Sequence, residues 1–483
     1  MKQLKIVPLV AIISGIMVGC GGGGGGGGGA PRTAFTFDFA IPTTMTAADA
    51  KAQNCTVYER GNGTATVLTY SKATGAQVTN NVIGYYSDEN GKRQGDIIKP
   101  TGDSFDFVLE DIPEGGYITF QALEFNAREI RVNSFSREFL EDKKLRTATF
   151  ALNRDKVNRC LQGNNLADKT FKNLSYRNVV SGGGDYHYIS QTDSLVSPNY
   201  DMAPSEELVG FNGEPTALFQ YAVNSNKTEL HQYGIGSWGT GDIDLVATDV
   251  SSRIYSSSRY NYDDLKIGFV ANNFLYDALV LNRSNNDYNR PSDTSGEVWA
   301  FEAASANSGN GWETTLTGTI DAGWDIDVDP SRYLNINGLP NTKPTVSSNG
   351  EIDLNMGLNS STEGFVRTAY FASSGDYKVT HRIFSKSNSD YIVVPELHYY
   401  NFPSSAVNGL VVTGNDAFNR SALITDENSD INSRIFLSLF ANGKTSEPEL
   451  EADLDGILTP EEEATKNGVT LRTSDALVVT RFN

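Results

Sequence analysis

"SFDFVLEDIPEGGYITFQALEF", residues 104–125, decides how the fold is read. Two runs rich in aromatic and β-branched residues flank Pro113, Glu114, Gly115 and Gly116. Such side chains suit a pleated, half-buried surface, and Pro and Gly supply turn geometry. The stretch reads as two strands joined by a turn. Working outward, "FTFDFAI" (Phe35 to Ile41) alternates, which puts Phe35, Phe37 and Phe39 on one face of a strand. "TATVLTY" (Thr64 to Tyr70) is a second strand, running into "SKATGAQV" with turn character at Thr74-Gly75. "RTATFAL" (Arg146 to Leu152) supplies a closing strand. Residues 33–158 are therefore expected to form one β-sandwich.

The order of strand, Thr-Gly turn, strand and then "DIPEGGY" resembles the prealbumin-like modules of carboxypeptidase regulatory-like and Cna-B-like domains. That resemblance covers about a quarter of the chain. It implies a stalk or spacer role rather than catalysis. Beyond Cys160 the texture stays β. "LVGF" (Leu208 to Phe211), "ALFQYAV" (Ala217 to Val223), "DLKIGFVANNFLYDALVLN" (Asp264 to Asn282) and "VWAFEA" (Val298 to Ala303) read as strands or hairpins. Clusters of Asn, Ser, Gly and Asp between them read as loops. Short amphipathic pieces occur near Ser136 to Lys144 and Pro460 to Lys466. "GDIDLVATDVSS" (Gly241 to Ser252) and "GEIDLNMGLNSS" (Gly350 to Ser361) share G-[DE]-I-D-L, an offset that suits tandem sandwiches of about 100 residues. The expected fold class is all-β: tandem β-sandwich domains over 33–158, 159–320 and 321–483, with a boundary near Asp321. One larger β domain, including a propeller, is the alternative.

Ahead of the first strand, Lys2 and Lys5 precede an apolar run from Ile6 to Val18, then Met17-Val18-Gly19-Cys20 and nine glycines. The apolar run falls short of the about 20 residues that a spanning helix needs, and the pattern is that of a secretory signal, residues 1–19. Its end resembles the lipobox of bacterial lipoproteins. By that resemblance Cys20 carries a thioether-linked diacylglycerol and an N-terminal acyl chain, and its partner is membrane lipid. Gly21 stands where an aspartate resembles the inner-membrane retention signal, so the resemblance points to the outer membrane. Residues 20–32 would then be a tether. A flexible Gly-rich chain of this length reaches about 18 Å, more than the roughly 5–8 Å headgroup zone of one leaflet.

The 483 residues hold 39 Lys+Arg against 59 Asp+Glu, a net charge of −20 at pH 7. Such a surface repels nucleic acid and anionic headgroups, and both are excluded as partners. Beyond Cys20 the cysteines are Cys55 and Cys160. A secreted protein favours their pairing as a disulfide.

Motifs for chemistry are few. The G-x-S-x-G elbow is absent, and "GIGSWG" (Gly234 to Gly239) has the wrong spacing. His187, His231, His381 and His398 lie far apart and are read as structural. Zinc spacing, G-x-G-x-x-G after a strand and the P-loop are missing. No catalytic residue is assigned and no enzymatic activity is expected. The candidate metal site is "EADLDGILTPEE" (Glu451 to Glu462), which resembles an EF-hand loop. Glu451, Asp453, Asp455 and Glu462 would face calcium, with Gly456 at the sharp turn. Position one is Glu rather than Asp, and Pro460 interrupts the exit. The competing reading is an acidic turn before a helix capped by Thr459. "DAGWDIDVD" (Asp321 to Asp329) reads as a solvated strand face. Tyrosines in "HYIS" (His187 to Ser190) and "SRIYSSSRYNY" (Ser252 to Tyr262) read as half-buried packing, with a recognition surface as the alternative.

The overall plan resembles the outer-membrane lipoproteins of marine gammaproteobacteria, those coating sheathed flagella being the specific comparison. It implies a lipid-anchored surface protein with a structural role. The alternatives are a surface binding module, either an adhesin or a calcium-dependent glycan binder with protein or glycan partners, and in third place a secreted hydrolase.

Overall fold

Ten strands open the chain: β1 (Ala34–Thr46), β2 (Val57–Arg60), β3 (Thr64–Ser71), β4 (Val82–Ser87), β5 (Arg93–Ile98), β6 (Ser104–Val108), β7 (Tyr117–Leu123), β8 (Glu129–Ser136), β9 (Thr147–Ala151) and β10 (Lys156–Cys160). They belong to a computed structural model. It describes residues 32–482 except 62, 74–81, 124–127, 143–144, 154–155, 164–168, 173–174, 178–183, 190–193, 198–207, 212–214, 223–224, 238–241, 249, 257–261, 292–295, 307–310, 336–337, 355, 357–362, 388–390, 400–401, 426–428, 441–453 and 455. Cys20 with its glycines, and Thr74-Gly75, thus lie outside the described residues.

The alternation in "FTFDFAI" does what its pattern dictates. Phe35, Phe37 and Phe39 are buried, at 1%, 0% and 0% exposure. β1 pairs antiparallel with β3 and β6 and parallel with β9. β10 and β2 extend this sheet along β3. The turn between β6 and β7 forms as expected. Gly116 N–H donates to the Pro113 carbonyl at 3.0 Å, and Gly115 takes φ +67°. A Cβ on Gly116 would stand 2.1 Å from the Ser87 carbonyl oxygen, so only glycine fits.

β4, β5, β7 and β8 enter a second, twelve-stranded sheet. Its order is Phe274–Leu281, Asp264–Ala271, Val298–Ser305, Glu313–Thr319, Ala476–Phe482, Ala417–Thr425, Glu363–Ser374, Tyr377–Lys386, β8, β7, β4, β5. The Asp264–Ala271 and Phe274–Leu281 hairpin turns through Asn272 and Asn273, at φ 50° and 66°. Asn tolerates the two consecutive positive φ values of such a turn. The chain is all-β in several sheets, as its composition leads one to expect.

The three stretches 33–158, 159–320 and 321–483 are not separate sandwiches. The twelve-stranded sheet takes strands from all three. The decisive seam is parallel: Lys378 to Phe384 run beside Glu129 to Phe135 in β8. The two G-[DE]-I-D-L segments are likewise no structural repeat. Asp242–Asp244 pairs in parallel with Ser175–Arg177, whereas Glu351–Asp353 pairs antiparallel with Tyr391–Val393. The pentapeptide favours a short strand in both places but fixes no partner.

The helices are α1 (Ala47–Ala52), α2 (Arg137–Leu140), α3 (Ser404–Asn408), α4 (Ser433–Phe440) and α5 (Glu461–Arg472). α2 and α5 fall on the amphipathic pieces read from sequence. Pro460, not Thr459, is the N-cap of α5, and no side chain caps it. Thr459 is instead buried at 7% exposure.

The first sheet packs on the β4, β7, β8 end of the second through a phenylalanine core. The Phe37 ring lies 5.0 Å from Phe107, 5.3 Å from Phe150, 5.4 Å from Phe120 and 5.8 Å from Phe135. Aromatic pairs of this kind add about 0.5–1.5 kcal/mol each beyond area burial. α4 closes this core with Phe436, 5.7 Å from Phe365 and 6.1 Å from Phe139. "DAGWDIDVD" contributes the strand Ile326–Val328, with Ile326 and Val328 buried and Asp327 exposed, the solvated face expected.

Candidate functional site

A cavity of about 260 Å³ opens where the first sheet meets the C-terminal helices. The alternation that turns Phe37 and Phe39 inward sends Asp38, between them, the other way and into this wall. Thr149, opposite Asp38 in the β1–β9 ladder, lines it too. Leu437 and Ser438 of α4, Leu458, and Gln162 beside the disulfide complete the part that matters chemically. At the rim Arg434 grips Glu463 with two parallel N–H bonds, Nη2 to Oε2 at 2.8 Å and Nε to Oε1.

Asp38 is the uncompensated group. Its carboxyl pKa is pushed up to about 6, first by burial, then by the nearby carboxylates Asp103 and Asp106, with Arg159 opposing. The neighbours are occupied: Arg159 donates to Asp103 Oδ2 at 2.8 Å and lies over the Tyr70 ring, and Thr36 donates to Asp106 Oδ1 at 2.7 Å. Because the folded pKa is above that of the unfolded chain, the folded state holds the proton more tightly. Ionisation then costs stability as pH rises through 4 to 6. Asp38→Asn is expected to stabilise the protein at pH 7.5 by about 1 kcal/mol, discounted for partial solvent screening. At pH 3.5 it should have no effect. Equal unfolding midpoints at pH 7.5 would contradict this.

The Cys55–Cys160 disulfide is formed, with Cα atoms 5.5 Å apart. It brings two cavity walls together, since Thr56 N–H donates to the Leu161 carbonyl at 2.7 Å and both residues line the cavity.

Of the candidate calcium ligands, Glu451, Asp453 and Asp455 lie outside the described residues. Glu462 sits in α5 and accepts from Lys466 Nζ at 3.0 Å. Between these positions the backbone is committed to the edge of β9. Leu454 N–H donates to Ala151, Ala151 N–H to Gly456, and Leu458 N–H to Thr149. Leu454, at φ 58°, is fully buried. Among the described residues no group of three or more His, Cys, Asp or Glu is placed to hold a metal.

Among the described residues a serine and a histidine come together. Ser134 Oγ lies 2.8 Å from His381 Nε2, and Tyr370 OH 3.2 Å from His381 Nδ1. Thr119 Oγ1 extends the chain to Ser134 at 2.7 Å. The distances are those of a nucleophile and its base. Ser134 and His381 are nonetheless 0% exposed and Tyr370 1%, so no substrate reaches them in this fold. No protein-family model matches the chain, and no curated protein matches it.

His381 is fully buried, and burial sets its protonation. Burial pushes its pKa down to about 3. The folded state requires the neutral ring, while the unfolded chain takes up a proton below about pH 6.5. Stability is therefore full above that pH and is lost as pH falls. At pH 5 the loss from this residue is about 2 kcal/mol. A wild-type protein that loses no more stability between pH 7 and pH 5 than His381→Gln would contradict the assignment. His187 is also held low, at about 4, by burial and then Lys227. His231 lies 3.4 Å from Glu229, and His398 stands 3.3 Å from Arg93.

Asp38 escaped sequence reading because an outward polar residue is what alternation leads one to expect. The signal available was its type, since Asp is depleted inside strands.

Proposed function

We propose that this is a lipid-anchored surface protein whose role is structural. The observation that carries the reading is the order Ile6–Val18, Cys20, nine glycines, and then β1 from Ala34. A lipidated cysteine needs a spacer before the first packed side chain, and Phe35, the second residue of β1, is already in the core. Two or more acyl chains give stable membrane attachment, where one is marginal. The twelve-stranded sheet suits a load-bearing body, because its strands from distant parts of the chain are tied by backbone hydrogen bonds. The burial of the Ser134–His381 pair removes one arrangement that would have favoured a hydrolase.

The test is fractionation with surface labelling. The wild-type chain should partition into detergent and take a membrane-impermeant amine reagent on intact cells. Cys20→Ser should appear in the aqueous phase. Labelling only after lysis would contradict surface display, and detergent partition of Cys20→Ser would contradict the anchor.

A further inference from the structure

We propose that the cavity beside Asp38 binds a small organic cation, a primary ammonium on a short aliphatic chain, with the Asp38 carboxylate as its counter-ion. Charge decides the sign of the ligand. Arg434 and Glu463 neutralise each other at the rim, and Arg159, the cation that acts on Asp38, is paired with Asp103, so the least balanced charge in the cavity is that of Asp38. Asp103 and Asp106, close enough to raise its pKa, repel an anion from the same place. Their effect and the burial of Asp38 leave a carboxylate that a bound ammonium would stabilise in its charged form.

Size and lining decide the rest. At about 30 Å³ for each water-sized unit, 260 Å³ holds roughly six to nine non-hydrogen atoms. Leu437 and Leu458 offer apolar wall to an alkyl chain. An ammonium has three donors and needs three acceptors. Ser438 Oγ spends its proton on the Ile435 carbonyl at 2.8 Å, which leaves it an acceptor. Gln162 uses Nε2 on the Cys160 carbonyl at 3.4 Å, which leaves Oε1. With Asp38 these make an acceptor set suited to an ammonium. A divalent metal ion needs about six oxygen ligands, and among the described residues no group of three or more His, Cys, Asp or Glu is placed to hold one.

The experiment compares three four-carbon probes, n-butylamine, n-butanol and butyrate, at 10 mM, on the full-length protein in detergent. Butylamine should raise the melting temperature by a degree or more, and butanol and butyrate should not. Asp38→Asn, and Ser438→Leu, which fills the cavity from α4, should each abolish the butylamine shift. Carbon-13 NMR of labelled aspartate gives a readout independent of any variant's folding: butylamine should lower the Asp38 pKa by one unit or more. The proposal is overturned by an unchanged Asp38 pKa, by a shift that survives Asp38→Asn in a folded protein, or by equal shifts with butanol or butyrate.

Discussion

With Cys55 and Cys160 both replaced by Ala, the protein loses up to about 4.7 kcal/mol of stability. The bond closes a span of 105 residues. In the chain-entropy model a loop of about 100 residues contributes that amount by restricting the unfolded ensemble. The native state loses order as well. The bridge fastens the segment after α1 to the end of β10, where Gly163 N–H donates to the Asn54 carbonyl at 3.0 Å. Cys55 and Cys160 are themselves buried with Ala50, Ala65 and Val67. Urea unfolding with and without a reductant checks this. The reduced wild type and the double variant should share one lowered midpoint, and an unchanged midpoint would contradict the assignment.

The second large effect is expected at Arg472, the last residue of α5. Its guanidinium is 4% exposed and bridges two strands of the large sheet, Nη1 to Glu302 at 3.0 Å and Nη2 to Asp277 at 2.8 Å. A further bond runs from Nη2 to the Lys266 carbonyl at 3.3 Å. Arg472→Met removes the cation from both carboxylates, leaving Glu302 the Lys266 ammonium at 3.4 Å. Breaking a buried pair costs about 3–5 kcal/mol, and the partial exposure of both acids places this one near about 3 kcal/mol. Adding Asp277→Leu and Glu302→Leu should recover much of the loss, since the penalty comes from the stranded charges. A triple variant no more stable than the single one would show that the cost is lost packing instead.

What could be read in the sequence was local. "FTFDFAI" disclosed its inward face because a strand repeats every two residues, and three phenylalanines held that period. Pro113 to Gly116 disclosed a turn because a glycine is needed there at positive φ and another under the Ser87 carbonyl. The disulfide followed from compartment and count. Pairing between distant strands left no such trace. Nothing in "YKVTHRIFSK" marks it to lie parallel to Glu129–Ser136, some 250 residues earlier. The division into three sandwiches therefore gave way to a shared sheet, the larger β domain that was the alternative reading. The same applies to chemistry. Ser134, Tyr370 and His381 meet only through that parallel seam and its neighbour, and Asp38 gains its raised pKa first from burial and then from Asp103 and Asp106. Sequence supplied the residues, and tertiary pairing supplied their company.

The proposed function rests on Cys20 as a lipid anchor with the glycines as its tether. Intact mass spectrometry of the chain extracted from membranes decides it. The expected species is a mature chain that starts at Cys20 and carries the added mass of a diacylglyceryl group and one further acyl chain. A chain that retains Met1, or one cut elsewhere with an unmodified Cys20 thiol, would contradict it.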